Sequence, residues 1–249
     1  MDPISLFKQT KYSSTVWWKL KTNIQGYKYE IGNDLVTEIL KNRSFRLVEK
    51  ELSFRKRQDK SRILVQLLED GYLCWVNKNQ LSFEQLSNDK TGQVICDQYY
   101  INSKIPFILN WIIDQSNLSN QYLWGGTIGP DYDCSGLIQT AFLKYNIFLP
   151  RDSYQMKNFC SNITNFYGNI NYLQMGDLLF FGNQSKCDHV GIYFKDGNYY
   201  HASGKDNGRN GIGIDNLVDA RNSVSKYYKS NFISAGRVHR SYKWNKTLR

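Results

Sequence analysis

YLWGGTIGPDYDCSGL, residues 122 to 137, places a cysteine between a glycine-rich turn and an apolar pattern of helical spacing. The pattern continues on one helical face through Leu137, Ile138, Ala141, Phe142 and Tyr145. After the breaks at Gly125-Gly126 and Pro130, it predicts a helix that begins at Cys134. Unpaired N–H groups and the positive dipole end at a helix N-terminus stabilise a thiolate. We therefore expect Cys134 to be a nucleophile with a lowered pKa.

Two of the three histidines in the chain fall in one predicted β-hairpin. HVGIYF at 189 to 194 and NYYHA at 198 to 202 have the composition of strands, and a tight turn separates them. A two-residue turn at Asp196-Gly197 would place His189 and His201 on opposite faces of the sheet. The two imidazole rings could not cooperate in that register.

A three-residue loop at 195 to 197, with Gly197 in the left-handed conformation, gives a different register. It pairs residue 194 with 198 and residue 191 with 201, so that His201 becomes the diagonal neighbour of His189. We prefer this register. It predicts His189 as the general base and then acid for Cys134, and His201 as the group that fixes its tautomer and orientation.

The residues around the predicted nucleophile also suit a reaction that passes through a tetrahedral intermediate. The backbone N–H groups at the helix start can bind an oxyanion, with Tyr122 as a second donor. Gly125, Gly126 and Gly136 allow backbone and substrate to approach closely. The polar neighbours Asp133 and Ser135 argue against Cys134 as an ordinary buried cysteine.

The second half of the chain has an α+β order. A helix is predicted with Pro106 in its first turn, its apolar face formed by Ile105, Ile108, Leu109, Ile112 and Ile113. The helix of Cys134 follows, and strands are then predicted at 177–181, 189–194, 198–202 and 232–238. Helices followed by an antiparallel sheet are typical of an α+β domain.

The first half, from about Leu35 to Leu86, shows short β-rich runs and reads as a small antiparallel barrel. RILVQLL and YLCWV are joined by a loop in which Gly71 can take the left-handed position. The polar stretch 87–103 marks the boundary. We expect two domains, at 20–90 and 98–249.

Composition excludes several classes of protein. The chain of 249 residues has 41% hydrophobic residues, which argues against disorder. Its 32 Lys and Arg outnumber 22 Asp and Glu, but both halves share the excess, so we expect no nucleic-acid partner. Apolar runs of signal-peptide or membrane-spanning length are missing from the sequence, so we expect no membrane partner and a cytoplasmic location, with non-standard export left open. Composition does not settle the oligomeric state.

The remaining cysteines predict neither a disulfide framework nor a metal site. Cys74, Cys96, Cys160 and Cys187 show no Cys-x-x-Cys spacing and are expected to be reduced core residues. Zinc is the competing hypothesis, because potential ligands are present at Cys160, Cys187, His189, His201 and His239. Their spacing matches no common zinc pattern. We therefore expect no metal and assign a structural role to His239.

Several ordered motifs together resemble the NlpC-type, papain-like cysteine peptidases of bacterial cell-wall metabolism. They are YLWGG followed by DCSG, RDSYQ at 151–155, and GDLLFF, HVGIYF and YHAS, over about residues 98–240. The resemblance implies a papain-like fold and a Cys134, His189, His201 triad. It also implies hydrolysis of the bond between γ-D-glutamate and a diamino acid, usually meso-diaminopimelate, in peptidoglycan stem peptides. No cofactor is implied.

The first half is similar to a bacterial SH3-like barrel, with DGYLCWV at 70–76 like its closing strand. Two-domain relatives without signal peptides act on released peptides that carry a free N-terminal L-Ala. The resemblance then implies that Tyr72 reaches the cleft and that Asp133 binds the L-Ala ammonium. Further candidates for the peptide and the D-Glu carboxylate are Ser135, Trp124, Arg151 and Ser153. Alternatively, Asp133 only caps the helix and Trp124 only packs.

Three other functions stay open at this point. The protein could hydrolyse intact cell-wall peptidoglycan in place of free muropeptides. It could be a catalytically inactive protein that binds wall or peptide through the barrel. An amine could also replace water in attacking the acyl-enzyme, which would make the reaction a transfer.

Overall fold

The structure is a computed structural model that describes residues 17–48, 61–85, 96–163, 169–183 and 185–244. Residues 87–95 of the predicted domain boundary lie outside the described residues. The chain divides into two compact units. One holds the described residues up to Gln85 together with Lys243 and Trp244, and the other holds those from Cys96 to Tyr242.

The first unit is an all-antiparallel β sheet, as the sequence predicts. Its strands are β1 (Trp18–Leu20), β2 (Ile24–Tyr27), β3 (Leu35–Ile39), β4 (Ser44–Leu47), β5 (Arg62–Leu67), β6 (Leu73–Asn77) and β7 (Phe83–Gln85). Their order in the sheet is β3-β2-β6-β5-β4-β1-β7. Among the described residues no pairing joins β3 to β7, so the closed SH3-like barrel stays a prediction.

Alternation along the strands builds the core of this unit. Val65 and Leu67 on β5 are buried, and so are Cys74 and Val76 on β6. Successive side chains of a strand point to opposite faces, so these residues share the inner face. Gly71, in the connection between the two strands, has a φ of 71°, which confirms its predicted left-handed conformation.

The second unit packs helices on an antiparallel sheet, which confirms the predicted α+β class. Its helices are α1 (Gln98–Ser116), α2 (Cys134–Leu143), α3 (Ser153–Phe159) and α4 (Ser223–Ser230). Its strands are β8 (Ser161–Asn162), β9 (Leu178–Asn183), β10 (Lys186–Lys195), β11 (Asn198–Ser203), β12 (Gly211–Asn216) and β13 (Phe232–Arg237). The strand order is β12-β11-β10-β9-β13-β8.

Helix α1 begins two turns earlier than predicted. The expectation that Pro106 lies in its first turn is wrong, because the helix starts at Gln98 and Pro106 is internal. The Asp97 side chain accepts a hydrogen bond from the backbone N–H of Tyr100 at 2.8 Å and so caps the helix within the polar stretch. The predicted apolar face is buried as far as Ile112. Nowhere in the described part of the chain is a helix long and apolar enough to cross a membrane.

Helix α2 begins at Cys134, as predicted, and it lies in the core of the unit. Its first nine residues are all buried, and it packs against α1, β10 and β11. The Asp133 side chain caps it by accepting from the N–H of Gly136 at 2.6 Å. A cysteine at the start of this helix is therefore held against the middle of the sheet.

A close backbone contact fixes the start of α2 against the glycine-rich turn. The carbonyl oxygen of Gly126 accepts a hydrogen bond from the N–H of Asp133 at 3.2 Å. A Cβ atom at Gly136 would lie 2.0 Å from that same oxygen. Only glycine at this position allows the turn to approach the helix so closely.

We expect Gly136→Ala to lower the free energy of unfolding by about 1–3 kcal/mol, because the added methyl group meets a backbone atom that is already hydrogen-bonded. Urea unfolding of the purified protein measures the effect. Gly204→Ala is the matched control, since its Cβ would lie 3.6 Å from the nearest heavy atom, on the Tyr122 ring. Equal losses of stability in the two variants would contradict the packing argument.

Candidate active site

The hairpin of β10 and β11 differs from the prediction in its turn but keeps the predicted register beyond it. Lys195 pairs with Asn198, so Asp196 and Gly197 form a two-residue turn, and the predicted three-residue loop is wrong. Both turn residues have positive φ, of 52° and 80°, which suits the twist of a tight hairpin. The register then shifts by one residue beyond Tyr193.

This register shift brings the two histidines to one face of the sheet. Ile192 pairs with Tyr200, so Gly191 lies opposite His201 and His189 is its diagonal neighbour. The Nε2 atom of His189 and the Nδ1 atom of His201 are 2.7 Å apart, within hydrogen-bond distance. The predicted pairing of the two rings is confirmed.

A buried aspartate that the sequence patterns do not predict extends this pair. Asp215 lies on β12, a strand that was not predicted, and its Oδ2 atom is 2.8 Å from Nε2 of His201. The alternation in GIGID, residues 211 to 215, is the one sequence feature that indicates a strand here. In the structure Gly213 pairs with His201, and Asp215 is two residues further along. Tyr228 is another missed neighbour, with its ring stacked on His189 at 4.3 Å.

Cys134 lies beside the backbone on both sides of His189. Its Sγ atom is 3.9 Å from the carbonyl oxygen of Asp188, and the N–H of Val190 hydrogen-bonds to the sulfur. A register shift between β9 and β10 leaves Asp188 without a ladder partner, and Cys187 and His189 pair on either side of it. The structure thus brings the predicted nucleophile and the predicted base to one site.

The predicted lowering of the Cys134 pKa is wrong for the site as it stands. Burial raises the pKa of this thiol to about 12, and the negative charge of Asp133 adds to the effect. The N–H groups of Val190 and Ser135 and the charge of Arg151 act in the opposite direction but do not offset it. The resting cysteine is therefore a neutral thiol.

His189 and His201 are both neutral at neutral pH, where the Cys134 thiol is also neutral. Burial, with a smaller contribution from His201, lowers the pKa of His189 well below 6.5. Burial also lowers the pKa of His201, against the opposing influence of Asp215. A neutral thiol and a neutral imidazole in one site suit a mechanism in which the proton moves during the reaction and no ion pair is formed beforehand.

Tyr122 lies close to the sulfur and remains a hydrogen-bond donor. Burial first, and then the nearby Cys134 and Asp133, raise the pKa of its hydroxyl far above the usual value. The backbone N–H of Tyr122 bonds to Oδ1 of Asn210 at 3.4 Å, which ties this segment to the loop before β12. Its role as an oxyanion donor stays a prediction.

Asp133 caps α2, and its two oxygens are fully engaged. Within the described part of the chain the carboxylate accepts five hydrogen bonds, from the backbone N–H groups of Gly125 and Gly136, the hydroxyl of Ser135 and two nitrogens of Arg151. Arg151 is itself only 2% exposed. The capping role of Asp133 is therefore present, and its binding of a substrate ammonium stays a prediction.

The other predicted contact residues lie in different environments. Trp124 is 65% exposed and so presents its ring to solvent. Ser153 is buried at the start of α3, and its hydroxyl donates to the carbonyl of Cys187 at 3.4 Å. Tyr72 belongs to the first unit and packs against the apolar core there. Their roles in substrate binding stay predictions.

The five potential zinc ligands do not meet at one point, although His189 and His201 contact each other. The described residues include no group of three or more His, Cys, Asp and Glu that could hold a metal ion. His239 lies apart from the paired histidines, with Nδ1 3.0 Å from the hydroxyl of Ser161 and its ring stacked on Phe159. These contacts are those of a structural histidine.

Comparison with known proteins adds a family and several relatives. The model of the NlpC/P60 family matches residues 119–237. The gamma-D-glutamyl-L-lysine dipeptidyl-peptidase of Bacillus cereus is 31% identical over 139 residues, which are 55% of this chain and 37% of that protein. A probable endopeptidase p60 of Listeria innocua is 34% identical over 106 residues, 43% of this chain and 21% of that protein.

A crystal structure of an NlpC/P60 family protein from Bacillus cereus is similar with a TM-score of 0.43 and 22% identity, over 92% of this chain and 65% of that one. The chain spans little more than a third of the Bacillus relative and about a fifth of the Listeria relative. The matched range contains the cysteine at the start of α2 and both paired histidines. Residues 119–237 of this chain are a domain of the NlpC/P60 family.

Proposed function

We propose that this protein is a cysteine endopeptidase that hydrolyses the bond between γ-D-glutamate and a diamino acid in peptidoglycan stem peptides. The observation that carries the proposal is the 2.7 Å contact between His189 and His201, next to a cysteine at a helix start. The family domain supports it, and so does the name of the Bacillus relative, a gamma-D-glutamyl-L-lysine dipeptidyl-peptidase.

The first step is attack by sulfur with proton transfer to His189. As the C–S bond forms, the Cys134 thiol gives its proton to Nδ1 of His189, and the carbonyl π electrons move to oxygen. The Nε2 atom of His189 is already engaged with His201, which leaves Nδ1 as the accepting atom. Because both partners start neutral, charge separates only as the bond forms.

The tetrahedral intermediate then needs donors for its oxyanion. Backbone N–H groups at the start of α2 and the Tyr122 hydroxyl provide them, since the raised pKa of Tyr122 keeps its proton in place. His189 next protonates the leaving amine of the diamino acid as the C–N bond breaks. Water, deprotonated by the same histidine, hydrolyses the thioester and restores the thiol.

We further propose that the preferred substrates are free stem peptides with an N-terminal L-Ala, as in murein recycling. Asp133 and Arg151 form a buried ion pair at the start of α2, next to the nucleophile. An incoming ammonium would displace the two Arg151 nitrogens from the Asp133 carboxylate, and the released Arg151 would become available to a substrate carboxylate. This assignment is separate from the cleavage chemistry and has its own test.

We expect Cys134→Ala and His189→Ala to reduce the release of the dipeptide L-Ala-γ-D-Glu from L-Ala-γ-D-Glu-meso-diaminopimelate by at least about 10³-fold. Mass spectrometry of the products measures the release, and a lysine-containing peptide should be assayed in parallel. Cys160→Ala is the matched control, because Cys160 is also buried but packs near Gly236, on the β13 side of the sheet. Undiminished cleavage by Cys134→Ala would rule out the proposed nucleophile.

The pH dependence of kcat/KM should show an acid limb only, when it is measured with a peptide whose L-Ala nitrogen is acetylated. A free L-Ala amine would itself titrate at about pH 8 and add its own limb. His189 must be neutral to accept the proton, and its lowered pKa moves the acid limb below pH 6.5. A thiol pKa of about 12 places no alkaline limb in the accessible range, so the rate should be flat between about pH 7 and about pH 9. A bell-shaped profile with its maximum near neutrality would instead indicate a preformed thiolate and imidazolium pair. Circular dichroism at each pH controls for unfolding.

The preference for a free amine is tested by acetylating the L-Ala nitrogen of the same peptide. Loss of a charge-assisted hydrogen bond to Asp133 should lower kcat/KM by about 10- to 100-fold. Polymeric peptidoglycan, whose L-Ala is acylated, should be cleaved more slowly still. If the acetylated peptide and the polymer are cleaved as well as the free peptide, the protein is a wall hydrolase and the recycling substrate is wrong.

A further inference from the structure

Three polar side chains lie on a diagonal line across three neighbouring strands of the second sheet. His201 on β11 lies opposite Gly191 of β10 and Gly213 of β12. His189 is two residues from the first of these glycines, and Asp215 is two residues from the second. The distances along the line are 2.7 Å and 2.8 Å. His201 and Asp215 are buried, with 0% and 3% of their surface exposed. The chain of hydrogen bonds is therefore shielded from water for most of its length.

Asp215 is held as a carboxylate by donors on both of its oxygens. Oδ2 accepts from Arg209 at 2.5 Å as well as from His201, and Oδ1 accepts from the hydroxyl of Ser225 at 2.7 Å. Ser225 accepts the N–H of Asn216 at 3.2 Å, which directs its own proton to Asp215. Burial alone would raise the pKa of Asp215, but these partners hold it well below the usual range.

Arg209 reaches Asp215 because the residue between them on the sheet has no side chain. A Cβ atom at Gly213 would lie 1.8 Å from a guanidinium nitrogen of Arg209. The arginine therefore occupies the space above Gly213 and balances the buried charge of Asp215. A buried carboxylate is tolerated only with such compensation.

The hydrogen bonds fix the position of every proton in this chain. A carboxylate can only accept, so Nε2 of His201 carries the hydrogen. In a neutral His201 the Nδ1 atom is then a lone pair, which must accept from Nε2–H of His189. Neutral His189 is left with its lone pair on Nδ1, the atom required to take the proton of Cys134. The opposite tautomer of His201 would place a hydrogen on Nδ1 of His189 and abolish the base.

We propose that Asp215 is a positioning residue that acts through His201 to hold His189 in the one tautomer able to deprotonate Cys134. The inference rests on the proposed peptidase function for its kinetic consequence. Its structural content does not depend on the substrate, because the tautomers exist in the free protein. Asp215 touches neither the substrate nor the sulfur in this mechanism.

The first experiment measures the tautomers directly by ¹H–¹⁵N correlation of the imidazole rings in the wild-type protein. The chain has three histidines, and His239→Gln assigns one of them. We expect Nε2–H for both His189 and His201. Finding Nδ1–H on either ring would overturn the proposal, whether or not the protein cleaves any peptide. A wild-type protein with the expected tautomers but no cleavage would refute only the proposed function.

The second experiment removes the carboxylate with Asp215→Ala. Arg209 then remains as a donor facing Nε2 of His201, which favours the opposite tautomer of both rings. We expect kcat to fall by at least about 10²-fold with little change in KM, and the ring correlations to move to Nδ1–H. Formate, which can occupy the space between Arg209 and His201, should restore at least about a tenth of the lost rate. A folded variant with unchanged tautomers and activity within about threefold of wild type would overturn the proposal.

Two further variants separate positioning from stability. Asp215→Asn can keep its carbonyl oxygen towards Arg209 and still accept from His201, so it should retain the wild-type tautomers and more activity than Asp215→Ala. Asp177→Ala removes another buried carboxylate paired with an arginine, Arg237, at distances of 2.7 and 2.8 Å. It should lower stability without moving the histidine tautomers. If Asp177→Ala changes the tautomers as Asp215→Ala does, Asp215 acts only through the stability of the fold.

Discussion

The diagonal contact between His189 and His201 depends on one residue of register in the β10–β11 hairpin. A two-residue turn alone would place the two rings on opposite faces of the sheet. The shift between Tyr193 and Lys195 restores them to the same face while the tight turn at Asp196-Gly197 is kept. A second shift, between Cys187 and His189, frees the carbonyl of Asp188 to meet the sulfur. Two register shifts in β10 therefore determine the surroundings of His189, the proposed base.

Burial sets the electrostatics of the site more strongly than the helix terminus does. The start of α2 supplies the N–H of Ser135 to the sulfur, but the cap that orders this start is Asp133, whose charge raises the pKa of the thiol. Arg151 pairs with Asp133 and is buried with it, but its charge offsets the effect of Asp133 on the thiol pKa only in part. The site thus combines an ordered helix start with a neutral thiol. In the proposed mechanism His189 takes up its proton.

Periodic patterns allowed most of the second unit to be predicted, and local exceptions account for the rest. The helix of Cys134 and the strands around His189 and His201 follow apolar spacing and were found. The early start of α1 depends on the Asp97 cap within a polar stretch, and α3 buries only one apolar residue, Met156, so periodicity shows neither. The sequence does not distinguish a two-residue from a three-residue loop here, because Gly197 occupies the same left-handed position in both.

The failure to predict Asp215 has a different origin. Strand β12 alternates glycine with isoleucine, and its glycines exist to leave room for other groups, as Gly213 does for Arg209. A strand whose role is to admit an arginine carries little apolar signal of its own. The partner of His201 is therefore placed by a tertiary pairing, β11 with β12, that no local pattern encodes. Because the pairing joins Asp215, Arg209 and His201 in one buried network, the aspartate is held by the same contacts through which it acts.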